Sequence, residues 1–481
     1  MTDVKSYRSY RGLPTLAGLA TIEEAAKPGL SVEACVARLK RYHYAFLRLH
    51  EILTARITAE PIYELKTAFA HHAYLCAEHV TALRQRIGEM REPPLGLEEV
   101  PHHALEIFFD EILAAPTPEA LLVGIYEEAM PWLDAALGSH QRDTNPLTDA
   151  PSLRIIRFAI FEVSEMTQFG RNAIHCLVGP STRDELAEWY GNLEKLLRMC
   201  RGISGVFKSY VPTQDDEVPE RISSAEPYVH DRIPKRDERF QDVWNQGVNA
   251  ESFLYNADLP AKPKTLMMLY KRLREIDVPE MMASIIAETK GKPWDYYRDM
   301  SRQLWDEARH AMMGEVGFVA LGVDWTKVPI TINWSHRLNT ECTPIERHAV
   351  LYFIEQGLMT KTGKRYEWEV GVESGIPLMA TIQDYDWADE VLHAQLGRLW
   401  YIPAIGDWKT ALEYGDQCWS RILSNWHAVK EQGLTEHANW WPAVYREACA
   451  AWGEAPDATA LAFAETYEGA RADLKGVTGS A

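Results

Sequence analysis

The 481-residue sequence has no apolar run that approaches the roughly 18 residues of a membrane helix. Its first residues lack the uninterrupted apolar core of a signal peptide. The seven cysteines are widely spaced and form no Cys-x-x-Cys motif, which is typical of a reduced protein. We therefore expect a soluble, cytoplasmic protein whose cysteines are mostly small buried side chains.

Positive charge is also scarce, since 50 lysines and arginines face 69 aspartates and glutamates, for a formal net charge of −19. Binding to nucleic acids and to anionic membrane surfaces depends on lysine and arginine. We therefore expect neither a nucleic acid nor a membrane as a partner. The chain shows no motif for a flavin, an iron–sulfur cluster or a nicotinamide cofactor.

What the sequence does have is helical periodicity, since apolar residues recur at helical spacing almost throughout. Only residues 328–334 (VPITINW) are predicted to be extended. We therefore predict an all-α protein with four segments. These are an N-terminal helical domain (1–204), interpreted as a diverged bundle that acts as a scaffold or an oligomer interface, a proline-rich connection with one helix near 240–255 (205–262), a four-helix bundle (263–402) and a tryptophan-rich helical extension (403–481).

Two nearly identical five-residue strings contain the candidate metal ligands, DEARH (306–310) and DEVLH (389–393). Positions i and i+3 of a helix share a face, so the Glu and the His of each string can bind one metal ion together. Roughly one Glu-x-x-His is expected by chance in such a chain, so the repeated preceding Asp makes the pair specific. A third copy, Glu99 to His102, contains Pro101 and is interpreted as a loop.

A dinuclear site in a four-helix bundle also needs one glutamate from each of two further helices. In an antiparallel hairpin, residues at the same height lie equally far from the turn. Glu275 and Glu307 are equidistant from the turn signal at 290–293, and Glu355 and Glu390 are equidistant from a second turn. The hairpins predict helices at 264–289, 294–321, 344–361 and 376–401, with a long crossover between the second and the third.

Pro279 lies inside the first of these helices, where its missing N–H removes the helical bond to the Glu275 carbonyl. We therefore predict a kink or bulge next to the metal site. The kink leaves open whether Glu275 or Glu280 faces the metals, and the hairpin geometry favours Glu275. Tyr352, one turn before Glu355, lies either near the metals or in the plain core.

Residues 264–401 resemble the ferritin-like superfamily of di-iron and di-manganese carboxylate proteins. The string DEVLHAQLGRLW (389–400), preceded by EQGL (355–358), is similar to an uncharacterised bacterial ferritin-like family that is distantly related to a tRNA hydroxylase. The resemblance covers only the third segment. Its motifs are specific for a metal site and not for a reaction.

The resemblance implies a role for each residue. Each metal is held mainly by two glutamates and one histidine: Glu275, Glu307 and His310 for one ion, and Glu355, Glu390 and His393 for the other. The glutamates of the two strings bridge the ions. The aspartate of each string, Asp306 or Asp389, orients the histidine of the other string, because a carboxylate on the far ring nitrogen fixes the tautomer and raises ligand basicity.

Four carboxylates and two imidazoles suit iron or manganese better than zinc or copper. We expect two metal ions, Fe/Fe in preference to Mn/Fe or Mn/Mn. The leading hypothesis is an O2-activating oxidoreductase that hydroxylates, desaturates or N-oxygenates a small organic substrate. O2 is then a co-substrate, an external reductase or ferredoxin is the electron donor, and a homodimer is a possible assembly.

Two alternatives stay open. One is a tRNA-modifying hydroxylase, which needs a basic surface that the net charge of −19 disfavours. The other is a metal-binding or scaffold protein of the ferritin-like type without enzymatic activity.

Overall fold

The computed structural model of the protein describes residues 7–207, 223–224, 226–423 and 426–467, but not the side chains of residues 426 and 427. The described residues form helices and no strand, which confirms the all-α prediction. None of these helices combines the length and the apolar character that a membrane span requires.

The chain folds as two compact units. The first comprises Met1–Leu53 and His72–Val229, and the second comprises Thr54–His71 and His230–Ala481. Residues 54–71 thus belong to the second unit, although the sequence predicts them as part of the N-terminal domain (1–204). Within this segment, Lys66 forms a buried ion pair with Glu280, which ties the segment to a helix of its own unit.

The helices that begin before residue 200 are α1 (Ile22–Ala25), α2 (Val32–Arg56), α3 (Tyr63–Met90), α4 (His103–Leu113), α5 (Pro118–Val123), α6 (Met130–Asp143), α7 (Ala150–Leu177) and α8 (Pro180–Met199). A π-helical turn, Gly124–Ala129, connects α5 to α6. Thr117 caps α5 by accepting a hydrogen bond from the N–H of Ala120. The Glu-x-x-His copy at 99–102 lies in a loop before α4, which confirms its interpretation.

The later helices are α9 (Ala250–Leu254), α10 (Ala261–Arg274), α11 (Asp277–Glu288), α12 (Trp294–Ala320), α13 (Asn333–Glu341), α14 (Pro344–Leu358), α15 (Lys364–Glu373), α16 (Pro377–Trp400), α17 (Ile402–Ile405), α18 (Trp408–Leu423), α19 (Trp426–Glu431), α20 (Trp441–Trp452) and α21 (Ala458–Leu461). The extended interpretation of 328–334 is wrong for its last three residues. Ile332 has φ −103° and ψ 4°, and the two residues after it begin α13.

Three of the four helices expected around the metal site are found close to their predicted positions. α12 and α16 match the predicted ranges 294–321 and 376–401 within one residue at each end. α14 begins with a capping box, in which Thr343 accepts the N–H of Glu346 and the Glu346 carboxylate accepts the N–H of Thr343.

The remaining helix, predicted at 264–289, is divided into α10 and α11. Pro279 cannot donate to the carbonyl oxygen of Glu275, which instead accepts the N–H of Val278 at 3.0 Å. The predicted kink is therefore confirmed. It lies at Glu275 itself, so a predicted metal ligand occupies the break.

The second hairpin contains a helix that the sequence reading did not predict. α14 ends at Leu358, and α15 follows before the turn at Gly375, whose φ is +70°. The two helices are separate because the chain folds back tightly at Gly363, where a Cβ atom would lie 2.2 Å from the carbonyl oxygen of Leu358. α15 then packs along α16.

The helical elements around the site contact one another in a ring. α10 and α11 pack against α12, α12 against α16, α16 against α14, and α14 against α11. The approach of α10 to α12 is tight at Gly314, where a Cβ atom would lie 2.4 Å from the backbone nitrogen of Leu273. The absence of a side chain at Gly314 therefore sets the distance between these two helices.

We expect Gly314→Ala to lower the free energy of unfolding by about 1–3 kcal/mol, because the added methyl group must push α10 away from α12. The matched control is Gly191→Ala, since Gly191 lies in α8 with nothing near its Cβ position. Alanine is the better helix former, so this control should be more stable than wild type by roughly 0.5–1 kcal/mol. Urea unfolding measures both changes. Equal effects of the two substitutions would contradict the tight approach.

Candidate metal centre

The structure brings the six predicted ligand residues together in the second unit. Glu275 comes from the break between α10 and α11, Glu307 and His310 from α12, Glu355 from α14, and Glu390 and His393 from α16. The side chain of Glu275 is 18% exposed, whereas those of both histidines are 0% exposed. The site is thus almost sealed from water and opens most at Glu275.

The ligand atoms form two overlapping groups, each with its atoms within 4.8 Å of one another. One group, here called the His310 position, consists of Glu275, His310, Asp386 and Glu390. The other, the His393 position, consists of Glu307, Glu355, Glu390 and His393. Glu390 belongs to both. Glu307 also contacts both histidines, with Oε1 3.1 Å from Nδ1 of His393 and Oε2 3.5 Å from Nδ1 of His310.

Each histidine turns one ring nitrogen toward the centre and the other toward an aspartate. Nε2 of His310 lies 3.2 Å from Oδ2 of Asp389, and Nε2 of His393 lies 3.3 Å from Oδ2 of Asp306. These are the pairs that the resemblance implies, each from one string to the other. Arg309 donates to both aspartates and so connects the two strings. The contacts hold each ring in place, and their role toward a metal stays a prediction.

Several buried polar atoms of this centre have no hydrogen-bond partner. Among the described residues they include Glu275 Oε2, Glu307 Oε1, His310 Nδ1, Glu390 Oε2 and His393 Nδ1. Buried polar atoms are rarely left unpaired. Their mutual distances of 3.1–3.5 Å are near the spacing of about 3 Å between neighbouring ligands of an ion with bonds of about 2.1 Å. The chemistry and the spacing of these donors therefore fit divalent metal ions.

Three charged residues of the centre were missed in the sequence reading. Asp386 precedes Glu390 by one helical turn, so its place on the same face of α16 was available as a signal. Lys364 begins α15, whose existence was not predicted, and its Nζ lies 2.9 Å from both oxygens of Asp386 and from Oε1 of Glu390. Arg272 contacts Asp386 and, at 2.8 Å, Glu275.

Glu280 and Tyr352 lie apart from this centre. The Glu280 carboxylate is held by Lys66, by Arg236 at 2.7 Å and by the hydroxyl of Ser335 at 2.8 Å. The structure therefore places Glu275 beside the histidines, and not Glu280. The hydroxyl of Tyr352 donates to Gln356 Oε1 at 3.4 Å, and its ring packs in an apolar cluster of the second unit.

Without metal, the buried carboxylates and histidines must share protons. Burial alone would lower the pKa of His310, but the neighbouring carboxylates of Asp389, Glu275 and Glu307 raise it to about 10. Burial and the neighbouring charge of Glu390 hold the pKa of Glu355 well above its ordinary value. The centre of the metal-free protein therefore retains protons at neutral pH, and metal binding would displace them.

A cavity of about 600 Å³ reaches this centre within the second unit. The ligands Glu275, Glu307, Glu355 and Glu390 line it. Much of the remaining wall is apolar and includes Met281, Leu338, Val350, Leu351, Ile354 and Trp419. A volume of this size accommodates a small organic molecule.

Comparison of the chain with protein-family models, with curated proteins and with solved structures gives no match. The function is therefore inferred from the geometry of the centre.

We expect Asp389→Asn to weaken Mn²⁺ binding by about 10- to 100-fold, because the amide no longer accepts the His310 Nε2–H as a carboxylate does. The control is Asp384→Asn, an exposed residue of the same helix, which should bind as wild type does. Competition with a fluorescent chelator measures both affinities. Unchanged affinity in Asp389→Asn would show that this contact does not support a ligand.

The raised pKa of His310 predicts a pH dependence of the metal-free protein. Its protonated ring stabilises the fold fully below the unfolded pKa of about 6.5, and this contribution is lost as the pH rises toward about 10. The advantage of wild type over His310→Asn in unfolding free energy should shrink between pH 7 and 10, by at most about 1.4 kcal/mol per pH unit. Urea unfolding at several pH values measures it. A constant difference would show that His310 is neutral without metal.

Proposed function

We propose that this chain is a dinuclear metal oxidoreductase of the ferritin-like type, which uses O2 to hydroxylate, desaturate or N-oxygenate a small organic molecule. The observation that carries this proposal is the convergence of four glutamates and two histidines, with unpartnered ligand atoms, beside a cavity whose wall is partly apolar. Oxygen-rich ligation with imidazole favours iron or manganese.

When bound, two such ions would supply electrons in pairs to O2. The protein would hold them with Glu275, Glu307, His310, Glu355, Glu390 and His393. Asp306 and Asp389 fix the ring orientation of the two histidines, so that Nδ1 of each ring points at the centre. Arg309 donates to both aspartates and so holds their carboxylates close to each other.

The cavity supports a catalytic role over a purely structural one. Structural metal sites are closed by their ligands, whereas a catalytic site needs space for a substrate beside the metal. Here four of the proposed ligands line a cavity of about 600 Å³. Leu351, Ile354 and Trp419 would exclude water and bind an apolar part of the substrate. Electrons would come from a separate reductase or ferredoxin.

The experiment is anaerobic loading with Fe(II), metal analysis and then exposure to O2. We expect close to two metal ions per chain and an absorbance change on mixing with O2, in proportion to the iron bound. Glu307→Gln should lose bound metal and the response to O2, because this carboxylate contacts both histidines.

The matched control is Glu99→Gln, which removes the glutamate of the third Glu-x-x-His copy, in a loop of the first unit. It should bind metal and react as wild type does. Fewer than about one ion per chain would contradict the proposed centre. Stoichiometric metal without any reaction with O2 would favour the non-enzymatic alternative.

A further inference from the structure

The two metal positions differ in the positive charge that the chain itself supplies. At the His310 position, Nζ of Lys364 lies 2.9 Å from both oxygens of Asp386 and 3.9 Å from Oε1 of Glu275. Arg272 contacts the same two carboxylates. The side chains of Lys364 and Arg272 are 0% and 1% exposed, so water does not screen their charge.

At the His393 position, Glu390 contacts Lys364, and Glu390 is the residue that both positions share. Within the described part of the chain, the ion-pair contacts of Glu307 and Glu355 are with histidines alone. Glu355 also accepts a hydrogen bond from the neutral side-chain amide of Gln303 at 3.2 Å. The negative charge of Glu307 and Glu355 is therefore left for a metal ion or for protons to neutralise.

Glu390 shows the same difference within one carboxylate. Its Oε1 lies 2.9 Å from Nζ of Lys364, while its Oε2 has no hydrogen-bond partner and lies 3.4 Å from Nδ1 of His393. One oxygen is thus occupied by a cation of the chain. The other is available at the His393 position.

We propose that Lys364 and Arg272 are built-in counter-ions that make the two metal positions unequal, so that the His393 position binds its ion first and the His310 position binds its ion much more weakly. This inference rests on the proposed dinuclear centre. An ion at the His310 position must compete with the Lys364 ammonium for Asp386 and Glu390, and it is repelled by both cations at short range.

The test is a Mn²⁺ titration of the full-length metal-free protein, with free Mn²⁺ measured by electron paramagnetic resonance. Wild type should bind two ions, the second at least about tenfold more weakly than the first. Repulsion between two bound ions also weakens the second, so the decisive measurement is on Lys364 variants. Lys364→Met should tighten the second ion at least about tenfold more than it tightens the first, so that the two affinities move closer together.

Two further variants assign the positions. His393→Ala should remove the tight phase, and His310→Ala should remove the weak phase, because each histidine belongs to one group only. Loss of the tight phase in His310→Ala would reverse the order and overturn the inference.

The matched control is Lys66→Met, which also removes a buried ammonium group from a carboxylate, Glu280, outside the centre. It should leave both affinities unchanged. Lys364→Gln serves as a second variant in case Lys364→Met does not fold, as judged by its helical circular dichroism. Lys364→Arg keeps the positive charge, so its second ion should still bind more weakly than its first.

Two equal, tight sites in wild type would overturn this inference and leave the proposed function standing. An unchanged second affinity in both Lys364→Met and Lys364→Gln would overturn it as well. Absence of Mn²⁺ and Fe(II) binding in every variant would overturn the dinuclear centre and this inference with it.

Discussion

Five carboxylates meet in the interior of the second unit: Glu275, Glu307, Glu355, Asp386 and Glu390. A buried carboxylate is costly unless a cation, a metal ion or a proton neutralises it. Lys364 and Arg272 neutralise part of this charge. The raised pKa values of His310 and Glu355 favour protons as a further source of neutralisation in the absence of metal. The helix breaks and close helix contacts around the centre bring these carboxylates and the groups that neutralise them together.

The helices are shaped to bring the charges together. The break between α10 and α11 turns the chain at Glu275, and it exists because Pro279 cannot complete the helical hydrogen bond. Gly314 lets α10 lie against α12, which carries Glu307 and His310. The tight fold at Gly363 starts α15 with Lys364 pointing at Asp386. Each of these local irregularities therefore brings a charged side chain of the centre close to the others.

Local periodicity made much of this region predictable. The repeated Asp-Glu-x-x-His spacing identifies one face of α12 and of α16, and capping and proline signals locate the helix starts and the kink. Counting from the turns then selected Glu275 and Glu355. α15 was missed because the sequence between 359 and 375 was read as the end of one helix and a turn. Lys364, Arg272 and the cavity were missed because they depend on how distant helices pack, which no local pattern encodes.

The cations of the chain and the proposed metal ions are alternatives for the same oxygens. A lysine on one oxygen of Glu390 leaves the other oxygen free, so a single carboxylate faces a fixed cation on one side and the His393 position on the other. Lys364 and Arg272 belong to the chain, so they neutralise the negative charge of the carboxylates at the His310 position before any metal ion binds. In the proposed centre, the order of metal binding is therefore set by the positions of Lys364 and Arg272, and not by the ligand types, which are nearly the same at both positions.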